Sequence, residues 1–228
     1  SDPKSIDALG VSDFGCLVNC SSYHKTDEVE DNEKQAFEIN ARLVRRLAEL
    51  CARKKARFVH ISTDYVFGGQ SKRSPLAEDD GKAPVNVYGA SKGMGEDLAL
   101  LSGADVLILR VASLFGVAGA SGKGGNFVET MIRLGREKGT LHVVRDHPLS
   151  PPATADVAGA ILRLLRSNAP AGLWHVVNSG AATWHAFAER IIKQAGIAAQ
   201  VEPISSSEFP TPAKRPAYSV LDNGKLAA

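Results

Sequence analysis

The stretch that decides the fold is Ile61-Ser62-Thr63-Asp64-Tyr65-Val66-Phe67, followed further along the chain by Tyr88-Gly89-Ala90-Ser91-Lys92. Tyr88 and Lys92 are four residues apart. On a helix this spacing places both side chains on one face, about 5–6 Å apart at Cβ. The sequence therefore predicts a phenol and an ammonium side by side.

This pair points to proton transfer. A free tyrosine titrates near about pH 10 and is a poor proton donor at neutral pH, and a neighbouring cation lowers that pKa. We therefore predict that Lys92 lowers the pKa of Tyr88, and a pKa of about 7 would require about 4 kcal/mol. Thr63, at the end of a predicted strand, is the expected third group that orients a substrate oxygen. The three residues together predict protonation of a carbonyl.

A Tyr-x-x-x-Lys pair also arises by chance, with the tyrosine half-buried and the lysine solvated. The context favours chemistry, because the strand before it ends in Ser62-Thr63 and the helical pattern continues from Lys92 through Leu98.

Strand and helix patterns alternate along the chain, which is typical of a parallel sheet covered by helices on both faces. Ligands on such sheets bind outside the carboxyl ends of the strands, where Ser21-Ser22-Tyr23, Ser62-Thr63 and Ala112-Ser113 are expected to meet. The predicted elements are a short helix over 4–9 that starts at Ser1-Asp2-Pro3, strand 16–20, helix 33–52, strand 57–62, helix 88–101, strand 106–111, helix 126–136, strand 141–144, helix 154–166, strand 173–177 and helix 184–195.

Composition narrows the function. With 228 residues, 44% hydrophobic residues and a net charge of +2, the chain is expected to form a globular core and to bind neither nucleic acid nor a membrane. Three cysteines without metal-like pairing indicate a reducing compartment, and we interpret Cys16, Cys20 and Cys51 as small hydrophobic residues. The six histidines lack metal-ligand spacing, so no metal is expected. Without a signal peptide or an apolar run of about 18 residues, a soluble cytoplasmic protein is predicted.

The two motifs, together with Val18-Asn19-Cys20-Ser21-Ser22-Tyr23, Asn126-Phe127-Val128 and the tail 215–222, closely resemble the extended short-chain dehydrogenases. Within them the chain resembles the dTDP-4-dehydrorhamnose reductase family, from about residue 1 to about residue 226. The resemblance implies an α/β fold: a Rossmann-like parallel sheet, whose N-terminal half is missing from the sequence, with a smaller C-terminal substrate-binding domain. It assigns 1–116 and 153–178 to the NAD(P)-binding domain, and 117–152 and 179–228 to the substrate-binding domain.

The resemblance also implies roles for the central residues. Tyr88 gives a proton to the developing alkoxide, Lys92 bonds the nicotinamide ribose and lowers the Tyr88 pKa, and Thr63 bonds the carbonyl oxygen. The hydride comes from NADPH or NADH. The implied cofactor-binding residues are Cys20, Ser21, Tyr23, Asn40, Ser62, Tyr88 and Lys92. The implied substrate-binding residues are Thr63, Asp64, Tyr65, Ser113, Asn126 and Arg215.

Several of these residues keep a structural alternative. Asn40 is expected to anchor strand backbone near the cofactor, but a satisfied buried amide is an equal alternative. Asn126 and Arg215 suit diphosphate oxygens, although Arg215 can also be a surface arginine. Tyr65 is expected to line the sugar pocket or to belong to the core. The Gly-rich segment 117–125 is interpreted as a mobile loop over the substrate cleft.

The chain departs from the family pattern at several positions. Relatives usually have Trp where Ser113 stands, and stacking of a base on an aromatic ring is worth about 1–3 kcal/mol. This departure weakens the case for a thymidine nucleotide. His24 replaces a usual Thr, and the segment 146–152 alters the family's Asp-Gln-x-Gly-Ser-Pro-Thr.

The chain lacks the Gly-x-x-Gly-x-x-Gly turn that normally opens a dinucleotide fold. In the usual strand order, strand 16–20 then becomes an unprotected edge. We therefore expect a portion of a longer polypeptide, or a missing part that is disordered or on another chain. The alternative is a natural truncation that has lost cofactor binding.

Three functions follow from the resemblance. The leading one is reduction of the 4-keto group of a nucleotide-linked deoxysugar, most simply dTDP-4-dehydro-L-rhamnose to dTDP-L-rhamnose. A second keeps the chemistry, as reductase or epimerase, but changes the nucleotide or sugar. The third is a non-catalytic NADP-binding regulatory subunit that resembles the methionine adenosyltransferase beta subunit. The oligomeric state is left open, with a homodimer as one candidate.

Overall fold

The computed structural model of the chain describes residues 10–118 and 125–228. The helix predicted over residues 4–9 and most of the Gly-rich segment, residues 119–124, lie outside the described residues. Within the described ranges, the helices are too short or too polar for any of them to cross a membrane.

The main sheet has four parallel strands in the order β1-β2-β3-β6. Its strands are β1 (Cys16–Asn19), β2 (Arg57–Thr63), β3 (Asp105–Val111) and β6 (Gly172–His175). Strands β2 and β3 are the central strands and are buried along most of their length, as parallel strands covered on both faces must be. Strand β1 is the edge strand of the described sheet, as the resemblance implies.

Helices cover the main sheet and a second, smaller layer. The longer ones match the predicted patterns to within a few residues, which confirms the alternating strand and helix order. The helices are α1 (Thr26–Glu30), α2 (Glu33–Phe37), α3 (Leu43–Lys54), α4 (Val87–Leu100), α5 (Phe127–Lys138), α6 (Thr154–Arg166), α7 (Trp184–Gln194) and α8 (Gly224–Ala227).

The second layer was only partly predicted. Strands β4 (Thr140–Val144) and β8 (Gln200–Ile204) pair in parallel and pack with helices α5 and α7 around Met131, Leu141 and Ile191. A short antiparallel pair joins β5 (Pro148–Leu149) to β7 (Ala182–Thr183). Strand β8 was missed because it is short and contains Pro203, which a strand tolerates at a sheet edge.

A π-helical turn, Glu38–Arg42, connects α2 to α3 where the sequence predicted one uninterrupted α-helix. At this turn the carbonyl oxygen of Asn40 lies directly against Gly95 of α4, where any Cβ would collide with it. Gly89 approaches the carbonyl of Tyr65 in the same way. The glycines of α4 therefore let this helix pack backbone to backbone against both neighbours.

One of the three cysteines was misinterpreted. Cys51 is buried on α3, and burial raises the pKa of its thiol to about 11. Cys16 is half-buried, but Cys20 is exposed, because the chain leaves β1 at Asn19 and enters a loop. Cys20 is therefore not a hydrophobic core residue.

The packing of α4 predicts that alanine substitutions at two neighbouring glycines change the free energy of unfolding in opposite directions. Gly95→Ala should lower the free energy of unfolding by about 1–3 kcal/mol, because the new methyl group meets backbone that cannot move aside. Gly93→Ala is the matched control, since its methyl group would make ordinary contacts with Lys82 and Val66 and alanine favours a helix by up to about 1 kcal/mol. Urea denaturation of both variants measures the difference; equal stabilities would contradict the close approach at Gly95.

Candidate active site

Helix α4 begins beside the carboxyl end of β2. Asn86 caps it: its Oδ1 accepts a hydrogen bond from the backbone N–H of Gly89 at 2.8 Å, and its Nδ2 donates to the carbonyl of Lys214 at 2.8 Å. The cap places Tyr88 in the first turn of α4 and Lys92 one turn further along. It also ties the start of this helix to the tail of the chain.

The Tyr88 hydroxyl meets two other hydroxyl groups, those of Thr63 and Ser22, with which it is hydrogen-bonded. Thr63 is the last residue of β2, and Ser22 belongs to the loop that follows β1. The ring of Tyr65 stands edge-on to the Tyr88 ring, with 5.7 Å between the centroids. Two neighbouring strand ends and α4 thus converge on one phenol, as predicted for Thr63 and Tyr88.

The expected effect of Lys92 on Tyr88 was wrong for this structure. Burial raises the pKa of Tyr88 to about 12, and the hydrogen bonds from Thr63 and Ser22 only partly oppose it. The Lys92 amine turns away from the phenol: its Nζ donates to the carbonyl of Ile61 at 2.6 Å and lies 3.1 Å from Nε2 of His60. The phenol is therefore protonated at neutral pH, which is the form that donates a proton.

Lys92 is itself buried. Desolvation lowers the pKa of Lys92 to about 8, and the nearby Glu96 and Cys20 act in the opposite direction. The amine thus titrates much closer to neutrality than an ordinary lysine.

A buried carboxylate holds α4 against the sheet. Glu96 accepts hydrogen bonds from the Arg110 guanidinium, at 3.0 Å from Nε and 2.8 Å from Nη2, and from the Ser62 hydroxyl at 2.5 Å. The resemblance assigned Ser62 to the cofactor, but its hydroxyl points inward to Glu96 and is buried. Its side chain therefore supports the helix.

The loop after β1 is held by the buried amide of Asn40. The Asn40 Oδ1 accepts from the backbone N–H of Tyr23 at 2.8 Å, and its Nδ2 donates to the carbonyl of Tyr23 at 3.1 Å and to the Ser91 hydroxyl at 3.0 Å. Asn40 therefore anchors loop backbone rather than strand backbone. Cys20 and Ser21 are exposed on this loop, and Tyr23 is half-buried, so all three can border a ligand placed over α4.

A cleft of about 780 Å³ lies between the end of β2 and the second layer. Asp64, Tyr65, Ser113 and Arg215, which the resemblance assigns to the substrate, are among the residues that line it. The aromatic rings of Phe127 and Trp184, which pack against each other at 4.6 Å, add an apolar wall. This volume is in the range of small-molecule sites.

The residues that line the cleft include the cationic Arg215 and the weakly acidic Asp64. Arg215 donates from Nη2 to Asp27 at 2.7 Å and remains partly exposed to the cleft. Burial raises the pKa of Asp64 to about 6, against hydrogen bonds from Ser219 and Thr63. The guanidinium is thus oriented by a carboxylate on one side, as anion-binding arginines commonly are.

Asn126 has a different position from the one expected. It caps α5 in a capping box with Glu129, and its Nδ2 donates to the carbonyl of Gly116 at 2.8 Å. Phe127 and Thr130 of the same helix line the cleft, but Asn126 is not among the lining residues. Its amide holds the start of α5 in place.

Three polar residues of the site were not recognised in the sequence. Ser22 contacts the Tyr88 hydroxyl. Its place in segment 18–23, just after a predicted strand, was the sequence signal that could have identified it. His60 is a fully buried polar residue in the apolar strand β2. His24 contains the one buried side-chain nitrogen, Nε2, that has no hydrogen-bond partner among the described residues; nothing in the pattern marked it beyond the replaced threonine.

Comparison with known proteins identifies the relatives of this arrangement. The family model described as the RmlD substrate binding domain matches residues 1–228. The chain is 35% identical over 218 residues to a dTDP-4-dehydrorhamnose reductase of Mycolicibacterium smegmatis, covering 95% of this chain and 65% of the relative. It is 37% identical over 207 residues to a dTDP-4-keto-6-deoxy-D-glucose reductase of Streptomyces niveus, covering 90% and 69%. The chain thus spans about two thirds of the length of these relatives.

Solved structures agree with the sequence relatives. The crystal structure of dTDP-4-dehydrorhamnose reductase from Bacillus anthracis in complex with NADP superposes with a TM-score of 0.89 at 34% sequence identity. The match covers 98% of this chain and 76% of that chain. The predicted α/β fold with its parallel sheet is therefore confirmed.

The raised pKa of Tyr88 predicts the alkaline titration of the cofactor-free protein. Between about pH 9 and about pH 11, wild type and Tyr88→Phe should form the same amount of tyrosinate, because Tyr88 stays protonated in that range. Absorbance difference spectra measure it. The control is the same titration in denaturant, where Tyr88 is no longer buried. There the variant should form tyrosinate from three tyrosines and wild type from four. A smaller signal from the folded variant would instead mean that the Tyr88 pKa is not raised.

Proposed function

The chain belongs to the RmlD substrate binding domain family, and from that premise we propose that it reduces the 4-keto group of a nucleotide-linked deoxysugar with NADPH or NADH. The simplest such reaction converts dTDP-4-dehydro-L-rhamnose to dTDP-L-rhamnose. The observation that carries the proposal is the protonated Tyr88 phenol, hydrogen-bonded to Thr63 and adjoining a cleft of substrate size.

The residues around α4 fit the nicotinamide half of such a cofactor. Lys92 offers a buried nitrogen with two protein partners. An amine that accepts from His60 and donates to the Ile61 carbonyl keeps one N–H donor for a ribose hydroxyl. The loop that carries Cys20, Ser21 and Tyr23 is held next to it by Asn40. When bound, the nicotinamide supplies the hydride that the carbonyl carbon receives.

The protein's part in the reaction is to deliver a proton to the carbonyl oxygen. Thr63 orients this oxygen beside Tyr88, and the Tyr88 O–H transfers its proton to the oxygen as the C–O double bond is reduced. The phenolate left on Tyr88 is then stabilised by the neighbouring hydroxyls of Thr63 and Ser22, which turn from Asp64 and Asn40 to donate to it. Hydrogen bonds that strengthen as charge develops lower the barrier rather than the ground state.

The substrate's nucleotide diphosphate is proposed to lie along the cleft, with Arg215 on its phosphate oxygens and Asp64 and Tyr65 near the sugar. The Asp27 carboxylate that pairs with Arg215 pre-orients the guanidinium, which reduces the entropy lost on binding. Ser113 lines the same cleft, where the family resemblance leads us to expect Trp.

A second candidate keeps this chemistry with another 4-ketosugar. Ser113 favours it, because a serine offers no flat surface for a thymine ring. The Streptomyces niveus relative, at 37% identity, is named for a different 4-ketosugar from the rhamnose precursor. Two features of the substrate are therefore to be tested: which sugar epimer and which nucleotide the protein accepts.

Replacement of the proton donor gives the first test. Tyr88→Phe should lower kcat for NADPH oxidation with nucleotide 4-ketosugars by about 10²–10⁴-fold, the usual contribution of a positioned general acid, with little change in KM. Tyr218→Phe is the control, because this tyrosine does not line the cleft. Unchanged turnover in Tyr88→Phe would refute the proposed role of Tyr88. If wild type turns over none of the nucleotide 4-ketosugars tested, the result would favour a protein that only binds nucleotides.

Binding of the nucleotide part can be tested without the cofactor. Arg215→Ala should weaken the binding of dTDP or UDP in isothermal titration calorimetry by about tenfold or more, because a hydrogen bond to a charged group contributes about 1.5–3 kcal/mol. Arg73→Ala removes an exposed arginine whose guanidinium contacts only nearby backbone carbonyls and should leave the affinity unchanged. Equal affinities for wild type and Arg215→Ala would mean that the diphosphate binds elsewhere. Comparing the affinities for dTDP and UDP shows whether a chain with Ser113 in place of Trp still prefers a thymidine nucleotide.

A further inference from the structure

Behind the reacting groups, three buried side chains form a continuous chain of contacts. The Asn19 Nδ2 lies 3.1 Å from Nδ1 of His60, and Nε2 of His60 lies 3.1 Å from Nζ of Lys92. Asn19, His60 and Lys92 are all buried. The contacts join the end of β1 through the middle of β2 to α4.

The orientation of the Asn19 amide is determined by its other contacts. Its Oδ1 lies 3.0 Å from the backbone nitrogen of Ser21 and 2.6 Å from the Ser21 hydroxyl, and both of these groups donate to it. The opposite end of the amide is therefore the NH₂ group, which donates to Nδ1 of His60. A neutral imidazole that accepts at Nδ1 carries its proton on Nε2.

The proton on Nε2 points at Lys92. A neutral amine can accept it and still donate to the Ile61 carbonyl at 2.6 Å, so every contact is satisfied. An ammonium has no lone pair, and two donors would then face each other. For the ammonium to bond His60, the ring must carry its proton on Nδ1, and the Asn19 amide must turn its oxygen towards that ring nitrogen.

We propose that the His60 tautomer and the charge of Lys92 are coupled, and that Asn19 biases the pair towards the neutral amine. His60 is thus a positioning residue that acts through Lys92. On protonation, the Nε2 proton passes to Nζ and one proton from solvent enters at Nδ1, so the pair gains one proton in total and the imidazole stays neutral. Ser21 is exposed, so water can replace the bonds that Asn19 gives up when it turns.

The electrostatic surroundings agree with this coupling. Burial and the Lys92 charge hold the pKa of His60 well below its usual value, so the ring does not become cationic in the neutral range. The other charges that act on Lys92 come from Glu96 on its own helix and from Cys20 after β1, and both favour the ammonium. Glu96 is paired with Arg110, which weakens its influence. Desolvation lowers the pKa of Lys92 and so acts in the same direction as the contact with His60.

The test is ¹⁵N NMR of the histidine ring nitrogens in the cofactor-free chain across the pH range, because their shifts distinguish protonated from unprotonated nitrogen. For His60 we expect the proton on Nε2 at high pH and on Nδ1 at low pH, with a midpoint near the Lys92 pKa of about 8. In Lys92→Met the ring should keep its proton on Nε2 throughout. A single tautomer over the whole range in wild type, or titration of His60 to the cation, would overturn the proposal.

Asn19→Asp should reverse the bias. A carboxylate keeps the acceptor for Ser21 and presents a second oxygen to Nδ1, so His60 should keep its proton on Nδ1 and the Lys92 midpoint should rise by about one pH unit or more. Asn168→Asp is the matched control: it adds the same charge in the turn before β6, at the opposite end of the sheet, in a left-handed conformation that aspartate tolerates. An unchanged tautomer in Asn19→Asp would count against Asn19 as the source of the bias.

The link to the reaction rests on the proposed function and has its own readout. The high-pH limb of kcat should move upward in Asn19→Asp and stay in place in Asn168→Asp, because the charged Lys92, which the proposed function places on the nicotinamide ribose, then persists to higher pH. A tautomer switch in the NMR spectra without any ketosugar turnover would leave the coupling intact and refute only the reductase. Turnover whose pH profile is identical in wild type and Asn19→Asp would refute the proposed influence of His60 on the reaction.

Discussion

The buried ion pair between Glu96 and Arg110 is the constraint on which the site depends. Glu96 lies one helical turn after Lys92, and its carboxylate is bound by Arg110 of β3 and Ser62 of β2. Removing one partner of such a pair commonly costs about 3–5 kcal/mol, because the other charge is left buried and uncompensated. The pair therefore fixes both the rotation of α4 about its axis and its position along the two central strands. Tyr88 and Lys92 take their positions from that helix.

Burial acts on Tyr88 and Lys92 in opposite directions and favours the neutral form of both. It raises the pKa of the Tyr88 phenol and lowers that of the Lys92 amine. A phenolate and an ammonium in contact would need the reverse; the resting site instead has a protonated phenol and, turned towards His60 and Ile61, a readily titrated amine. For a reductase this is the useful state, because the proton must be on the phenol before the carbonyl oxygen needs it.

The substrate side of the site is built from two layers of the fold. The main sheet supplies Asp64 and Tyr65 just after β2, whereas the second layer supplies the aromatic wall and the chain's tail supplies Arg215. These segments are far apart in sequence, and the tail is also bonded to the start of α4, because the Asn86 amide donates to the Lys214 carbonyl. Ser113, which follows β3, lines the same cleft.

The sequence by itself determined the alternation of strands and helices, the motif that places Thr63 next to Tyr88, and four of the residues that line the cleft, Asp64, Tyr65, Ser113 and Arg215. These features follow from local patterns: apolar runs, helix periodicity, and polar residues at strand ends. The tertiary structure alone decided the pairing of β8 with β4, the π-helical turn opposite Gly95, the inward hydroxyl of Ser62, the exposure of Cys20 and the direction of the Tyr88 pKa shift. Each of these depends on which distant backbone or charge a residue meets after folding, and neither burial nor hydrogen-bond partners are contained in residue spacing.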